Sequence, residues 1–264
     1  MTIAVDGKQL AEELAQSIKK DLNNRQSRLA LVTIGKDLVT EKYLQMKIKS
    51  GQKAGILTEK IYLPREVSQM DLEIKIKELV DDNKIDGIVI QLPLPEHIKT
   101  SDILALIPAV KDPDALSPEP LVLSPVVRAI QVILDKYLSQ WRTKKIAVIG
   151  SGRLVGQPLL NWLSQQRVDF IAVGRNDSLI EVLPQAEIII SGVGIPGLIK
   201  PKMLKDGVTL IDAGTSESGG RLQGDMHPAC FDKAKLYTPV PGGVGPVAVM
   251  ALFTNLADLV NKDK

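Results

Sequence analysis

The sequence predicts an α/β protein built as two α/β domains with a cleft between them, the second domain holding a doubly wound parallel sheet. Three observations carry this. Short apolar runs alternate with helix-period stretches along most of the 264 residues, the pattern of strands that need helical crossovers. A proline-rich segment at 108–125, "PAVKDPDALSPEPLVLSP", breaks the alternation near the middle. Beyond it the pattern restarts with an apolar strand running into glycines, "KKIAVIGSG".

The elements follow in order. "TIAV" precedes Asp6, a capping residue, and an amphipathic helix to about Asn23. "LALVTIG" leads to a helix from about Asp37 to Ala54, closed by Gly55. "KIYLP" is followed by a helix from Ser68 to Asp81, "DGIVIQ" by a short one from Ser101 to Ile107. After the proline-rich segment a helix is expected over Val126 to Gln140, then strands in "KKIAVIG", "DFIAV", "EIIIS" and "VTLID", and a last helix over about 247–261. The domains are placed at 1–122 and 123–264, with the last helix packing back on the first.

Composition narrows the function. With 33 basic against 31 acidic residues there is no electrostatic footprint for nucleic acid, and at 3% aromatics no base-stacking platform. The single cysteine, Cys230, forms no internal disulfide and suits a reducing, cytoplasmic setting. With only His97 and His227 beside it, no metal set is expected. The N-terminus lacks signal-peptide features, and no apolar run is read as a membrane span.

The sharpest local signal is "IAVIGSGRLVGQP". Gly150, Gly152 and Gly156 follow a strand and open a helix, with Ser151 and Val155 between them. Such a turn lets backbone approach a pyrophosphate at a helix N-terminus, which makes the second domain Rossmann-like. The next strand ends in Val173, Gly174 and Arg175, where NAD sites usually carry an acid for the ribose 2′-OH. A cation there suits a 2′-phosphate, so the cofactor is read as NADP, with NAD kept open. As a plain loop residue, Arg175 would simply be solvated.

In the first half, Tyr43 and Lys47 stand four apart on one helical face. Lys42, Lys47, Lys49 and Lys53 equally fit one solvated face. Gln91, Leu92 and Pro93 sit at a strand's carboxyl end, where ligands of open α/β sheets bind. Asp112 and Asp114 in "KDPD" could accept from an amino-pyrimidinone edge or simply form a turn. Late in the chain "TPVPGGVGP", 238–246, packs three prolines and three glycines into nine positions, which no helix or central strand tolerates.

Together these stretches resemble the methylenetetrahydrofolate dehydrogenase/cyclohydrolase family. "YLQMK" is similar to its Tyr-x-x-x-Lys helix, "QLPLP" and "KDPD" to two of its segments, "GSGRLVGQP" to its glycine turn, and "PVPGGVGP" to its most distinctive loop. The resemblance implies NADP-dependent oxidation of 5,10-methylenetetrahydrofolate and hydrolysis of the methenyl product to 10-formyltetrahydrofolate. It implies Lys47 assisting hydrolysis, held by Tyr43 and Gln91, and Asp114 holding the pterin. Leu92, Pro93 and the loop residues Pro239, Val240, Pro241, Gly242, Gly243 and Gly245 would line the substrate. Gly150, Ser151, Gly152, Val155, Gly156, Arg175 and Thr215 would meet the cofactor. Pro246 would begin the last helix. A homodimer through the second domain is implied, with tetrahydrofolate derivatives as partners and no nucleic acid or membrane.

The chain also departs from that pattern. "ALSPEPLVLSP" is about a dozen residues shorter than the family's loop, Gly152 replaces a serine, and "DAGTS" at 212–216 replaces "DVGIN". Two other readings follow: a shikimate dehydrogenase-like NADP oxidoreductase, which leaves "QLPLP" and "PVPGGVGP" unexplained, and a degenerate, non-catalytic folate- or nucleotide-binding protein.

Overall fold

In a computed structural model, residues 2–23, 25–35, 38–218 and 221–262 are described, without the side chains of residues 38, 39, 218 and 221. The chain divides into two compact units. One comprises residues 1–10 and 126–248, the other 11–125 and 249–264. Helices α1 (Gly7–Leu22) and α8 (Val244–Lys262) each pass from the first unit into the second.

The second unit is built on three parallel strands, β2 (Ser27–Ile34), β3 (Ile56–Leu63) and β4 (Gly87–Ile90), in the order β3-β2-β4. Successive side chains of β2 point to opposite faces. Leu29 and Leu31 enter a core with Ile18 of α1, Leu44 of α2 (Leu38–Ala54) and Phe253 and Leu256 of α8. Ala30 and Val32 enter another with Leu72 and Ile76 of α3 (Gln69–Asp81) and Ile103 of α4 (Thr100–Ala105). Ser68 caps α3, its hydroxyl accepting from the Asp71 N–H at 3.1 Å. The predicted start of α2 at Asp37 lies outside the described residues.

The first unit carries six parallel strands in the order β1-β11-β8-β7-β5-β6. They are β1 (Ile3–Ala4), β5 (Ile146–Ile149), β6 (Phe170–Val173), β7 (Ile188–Ser191), β8 (Val208–Asp212) and β11 (Ala234–Tyr237). Strands β5, β7 and β8 are buried along their whole length, as parallel strands covered on both faces must be. Helices α5 (Pro125–Tyr137), α6 (Gly156–Gln165) and α7 (Leu179–Val182) belong to this unit. A two-stranded hairpin, β9 (Ser216–Ser218) and β10 (Arg221–Gln223), follows β8. Setting β1 aside, the order is the doubly wound 2-1-3-4-5 arrangement, with β6 and β7 flanking β5, so the chain changes direction between β5 and β7.

Some sequence expectations need correction. "TIAV" reads as a strand of the first half, yet β1 pairs with β11, Ile3 opposite Leu236, because a parallel partner can come from any distance along the chain. The helix expected over Ser101 to Ile107 is α4, and α5 ends at Tyr137 rather than Gln140. Helix α8 begins at Val244, so Gly245 and Pro246 both lie inside its first turn, where a missing N–H costs nothing. By length and composition α8 could cross a membrane, contrary to the sequence reading. It is buried mostly inside the protein, with Phe253, Asn255 and Leu256 at no exposure, as a core helix is.

Candidate functional site

The candidate residues form two groups, one in each unit. In the second unit, α2 presents Lys47 to the carboxyl end of β4. The Lys47 Nζ donates to Gln91 Oε1 at 3.1 Å, and Gln91 Nε2 donates to the Leu92 carbonyl at 3.0 Å. The Gln91 N–H continues the sheet ladder to Val32 O at 2.8 Å, which fixes where its side chain begins. Lys42, Lys49 and Lys53 are exposed, whereas Lys47 is half-buried, so one lysine leaves the solvated face that the sequence allowed for all four. Tyr43, one turn earlier and 37% exposed, makes no hydrogen bond to Lys47 or Gln91.

Asp114 joins Lys47 electrostatically. Burial pushes its carboxyl above the usual carboxylate range, the Lys47 charge opposes that, and Asp112 adds to it. The residue as a whole keeps some accessible surface, but its carboxyl is the desolvated part. Asp112 is buried and structural, its Oδ2 accepting from the Ser117 N–H at 2.6 Å. Asn255 of α8, fully buried, donates from Nδ2 to Pro113 O at 2.8 Å and Leu123 O at 2.7 Å. Both ends of the short loop around Asp114 therefore hang on one amide. Sequence reasoning missed Asn255, whose signal was an amide amid the apolar run of α8. The bond between Leu92 and Pro93 is cis, as is that between Val240 and Pro241.

In the first unit the candidate residues gather at the carboxyl ends of β5, β7, β8 and β11. Gly150 follows β5 at φ +96°, which an L side chain rarely adopts. A Cβ on Gly156 would lie 2.2 Å from the Gly150 carbonyl oxygen, so the start of α6 packs directly on the turn. A Cβ on Gly152 would meet nothing within 4 Å. No side chain caps α6, whose N-cap is Val155. These features fit a dinucleotide pyrophosphate: bare backbone, open space at Gly152 and an uncapped helix N-terminus. Arg175, just past β6, is exposed and makes no ion pair or side-chain hydrogen bond among the described residues. The nearby acid, Asp177, accepts from the Gly174 N–H at 2.7 Å.

The loop after β7 packs on this turn, Val193 Cγ2 lying 3.0 Å from where a Gly150 Cβ would be. Two buried acids shape it. Asp225 accepts from Ser191 Oγ at 2.6 Å, Val193 N–H at 2.8 Å and Ile195 N–H at 2.7 Å. Asp212 accepts from the N–H groups of Gly214, Asp225 and Met226 at 2.9–3.2 Å. Burial first, with Asp225 adding, pushes the Asp212 carboxyl up to about 6 against these hydrogen bonds. Asp225 was not singled out from sequence, where an acid after glycine reads as a turn former. Thr215 is exposed, and its carbonyl lies 3.4 Å from a Cβ position on Gly194. The Thr238 Oγ1 accepts from the Asp212 N–H at 2.7 Å, which ties the start of the 238–246 loop to β8. Within that loop Gly243 N–H donates to Pro239 O at 2.7 Å, Pro241 and Gly245 are exposed, and a Cβ on Gly242 or Gly245 would meet open space. Cys230 is buried and free, its thiol pushed up to about 11 chiefly by burial, and so is a poor nucleophile. Among the described residues no cluster of His, Cys, Asp and Glu could hold a metal ion.

Comparison with known proteins gives matches to two family descriptions. "Tetrahydrofolate dehydrogenase/cyclohydrolase, catalytic domain" covers residues 5–114, and "Tetrahydrofolate dehydrogenase/cyclohydrolase, NAD(P)-binding domain" covers 124–264. The bifunctional protein FolD of Aquifex aeolicus is 33% identical over 97% of this chain and 94% of its own length. That of Lactobacillus gasseri is 34% identical over 98% and 97%. A crystal structure of the bifunctional enzyme FolD, methylenetetrahydrofolate dehydrogenase/cyclohydrolase, from Campylobacter jejuni superposes with a TM-score of 0.95 at 27% identity, covering both chains fully. The Trypanosoma brucei methylenetetrahydrofolate dehydrogenase-cyclohydrolase, complexed with NADP cofactor and inhibitor, gives 0.90 at 28% identity over 99% of this chain and 98% of that one.

Proposed function

The chain belongs to the tetrahydrofolate dehydrogenase/cyclohydrolase family, and from that premise we propose that it oxidises 5,10-methylenetetrahydrofolate with NADP and hydrolyses the resulting 5,10-methenyltetrahydrofolate to 10-formyltetrahydrofolate. The observation that carries this reading is the Lys47–Gln91 pair at 3.1 Å, with the Asp114 carboxyl close enough to feel the lysine's charge.

The nicotinamide, when bound, accepts the hydride. That step asks this chain mainly for alignment, because a nitrogen lone pair already expels the hydride. Hydrolysis asks for a base. The Lys47 Nζ takes a proton as the water oxygen bonds to the methenyl carbon. Collapse of the carbinolamine then forms the formyl C=O, breaks the carbon–N5 bond and moves the hydroxyl proton to N5. Gln91 Oε1 holds Nζ in place through this sequence. Asp114 would accept two N–H bonds from the pterin's amino-pyrimidinone edge, and those donors offset the burial that raises its carboxyl. Gln91, Leu92, Pro93 and the loop from Pro239 to Gly245 line the substrate in this reading. The turn from Gly150 to Gly156, with Thr215, holds the dinucleotide, and Arg175 binds the 2′-phosphate that distinguishes NADP from NAD.

The reading extends to a cytoplasmic homodimer formed through residues 123–264, which sedimentation at several concentrations tests. The enzymatic reading is tested by incubating the protein with 5,10-methylenetetrahydrofolate and either NADP or NAD, following reduced nicotinamide and 10-formyl product together. Both signals are expected with NADP. Reduced nicotinamide without formyl product removes the hydrolysis. Folate binding with neither signal favours a non-catalytic binding protein.

A further inference from the structure

The turn that opens α1 touches the substrate loop with nothing between them. The Gly7 N–H donates to Gly242 O at 2.9 Å, and a Cβ on Gly7 would lie 1.9 Å from Gly243 O and 2.5 Å from Gly242 O. Strand β1 delivers Gly7 to this point. Ile3 and Ala4 pair with Leu236 and Tyr237, and the Val5 N–H donates to Tyr237 O at 2.9 Å. Gly7 is buried, and its φ lies outside the left-handed region, so nothing in its backbone demands glycine. At the first residue of a helix, alanine would ordinarily be the better choice. The contact alone excludes a side chain.

We infer that Gly7 is a positioning residue for the Pro239–Gly245 loop: the start of α1 captures the Gly242 carbonyl and thereby sets where that loop stands. The two segments lie over 230 positions apart, and neither carries a signal of the other. An alanine Cβ at 1.9 Å must retreat to at least 3.0 Å, so the loop moves by more than 1 Å. A misplacement of about 1 Å beside a reacting centre can cost about 10²-fold in rate.

The inference rests on the proposed role of this loop in holding reduced folate, and the experiment separates the two. The full-length wild type, Gly7→Ala and Asp6→Ala are compared. Asp6 caps the same helix, its Oδ1 accepting from the Lys8 and Gln9 N–H groups at 3.0 Å, and its side chain makes no hydrogen bond to the loop among the described residues. Three readings are taken: melting temperature, Kd for 5,10-methenyltetrahydrofolate, and KM and kcat for 5,10-methylenetetrahydrofolate. For Gly7→Ala, Kd and KM are expected to rise at least about 10-fold, with faster amide exchange in the 238–246 segment. Asp6→Ala is expected to lower the melting temperature and leave Kd and KM within about twofold, since cap loss acts on the helix. Equal Kd and KM in Gly7→Ala and wild type overturns the inference, as does an equal rise in both variants. A wild type that binds but does not turn over overturns the proposed reactions while the Kd comparison still decides the role of Gly7. A wild type that binds no reduced folate overturns both.

Discussion

Replacing Lys47 with methionine is expected to separate the two proposed reactions. Methionine keeps an unbranched apolar side chain on α2, with sulfur in place of Cδ, and removes Nζ, which among the described residues makes one hydrogen bond, 3.1 Å to Gln91 Oε1, from a half-buried position. A hydrogen bond with a charged partner contributes about 1.5–3 kcal/mol, and the retained stem offsets part of that, so the fold should lose at most about 2 kcal/mol. Catalysis loses more. A positioned general base contributes about 10²–10⁴-fold, or roughly 3–5 kcal/mol of barrier. Hydride transfer, which needs alignment, should change by less than about tenfold. The Lys47 charge is also the influence that lowers the Asp114 carboxyl, so its removal sends that carboxyl still higher and weakens the grip on pterin donors. The assay uses one protein sample for two measurements: appearance of reduced nicotinamide from 5,10-methylenetetrahydrofolate, and decay of added 5,10-methenyltetrahydrofolate. The ratio of hydrolysis to dehydrogenation should fall about 10²-fold or more. Parallel decline of the two rates, or unchanged hydrolysis, would refute the role given to Lys47.

Two further outcomes are expected. Arg175→Ala should raise the KM for NADP about 10- to 100-fold, the worth of one charged hydrogen-bonding partner, and leave that for NAD unchanged; an equal loss with both cofactors would show that Arg175 does not read the 2′-phosphate. Asp212, raised from 3.8 to about 6, keeps its proton longer in the folded protein than in the unfolded chain. Its contribution to stability is therefore present below about pH 4 and is lost as pH rises to about 6, a change of roughly 3 kcal/mol. Urea unfolding of wild type and Asp212→Asn at pH 4 and pH 7 should show wild type losing about that much relative to the variant, whose constant hydrogen-bonding offset cancels; a pH-independent difference would contradict the assignment.

What could be read from sequence was local. Alternating apolar runs showed the strands, because burying a parallel sheet on both faces demands them over four or five consecutive residues, as in β5, β7 and β8. The glycine turn was legible because Gly150 must hold a positive φ and Gly156 must admit the Gly150 carbonyl, and both demands fall within seven residues. The spacing of Tyr43 and Lys47 put them on one face of a helix but could not say which lysine leaves solvent. That depended on β4 bringing Gln91 to Nζ from 44 residues away. In the same way β1 found its partner in β11, Asn255 its two carbonyls on a loop more than 130 residues earlier, and Asp225 the N–H groups of the β7 loop. Helix and strand periods repeat within a few residues and so leave a mark in any short window. Contacts closed across a fold leave none in either segment, since each partner needs only one suitable group at one position. The sequence by itself therefore determined the elements, the turn chemistry and the family resemblance. Tertiary structure alone decided which polar groups meet, because burying an amide, a carboxylate or a bare glycine is tolerable only where the other segment supplies its partner or its space.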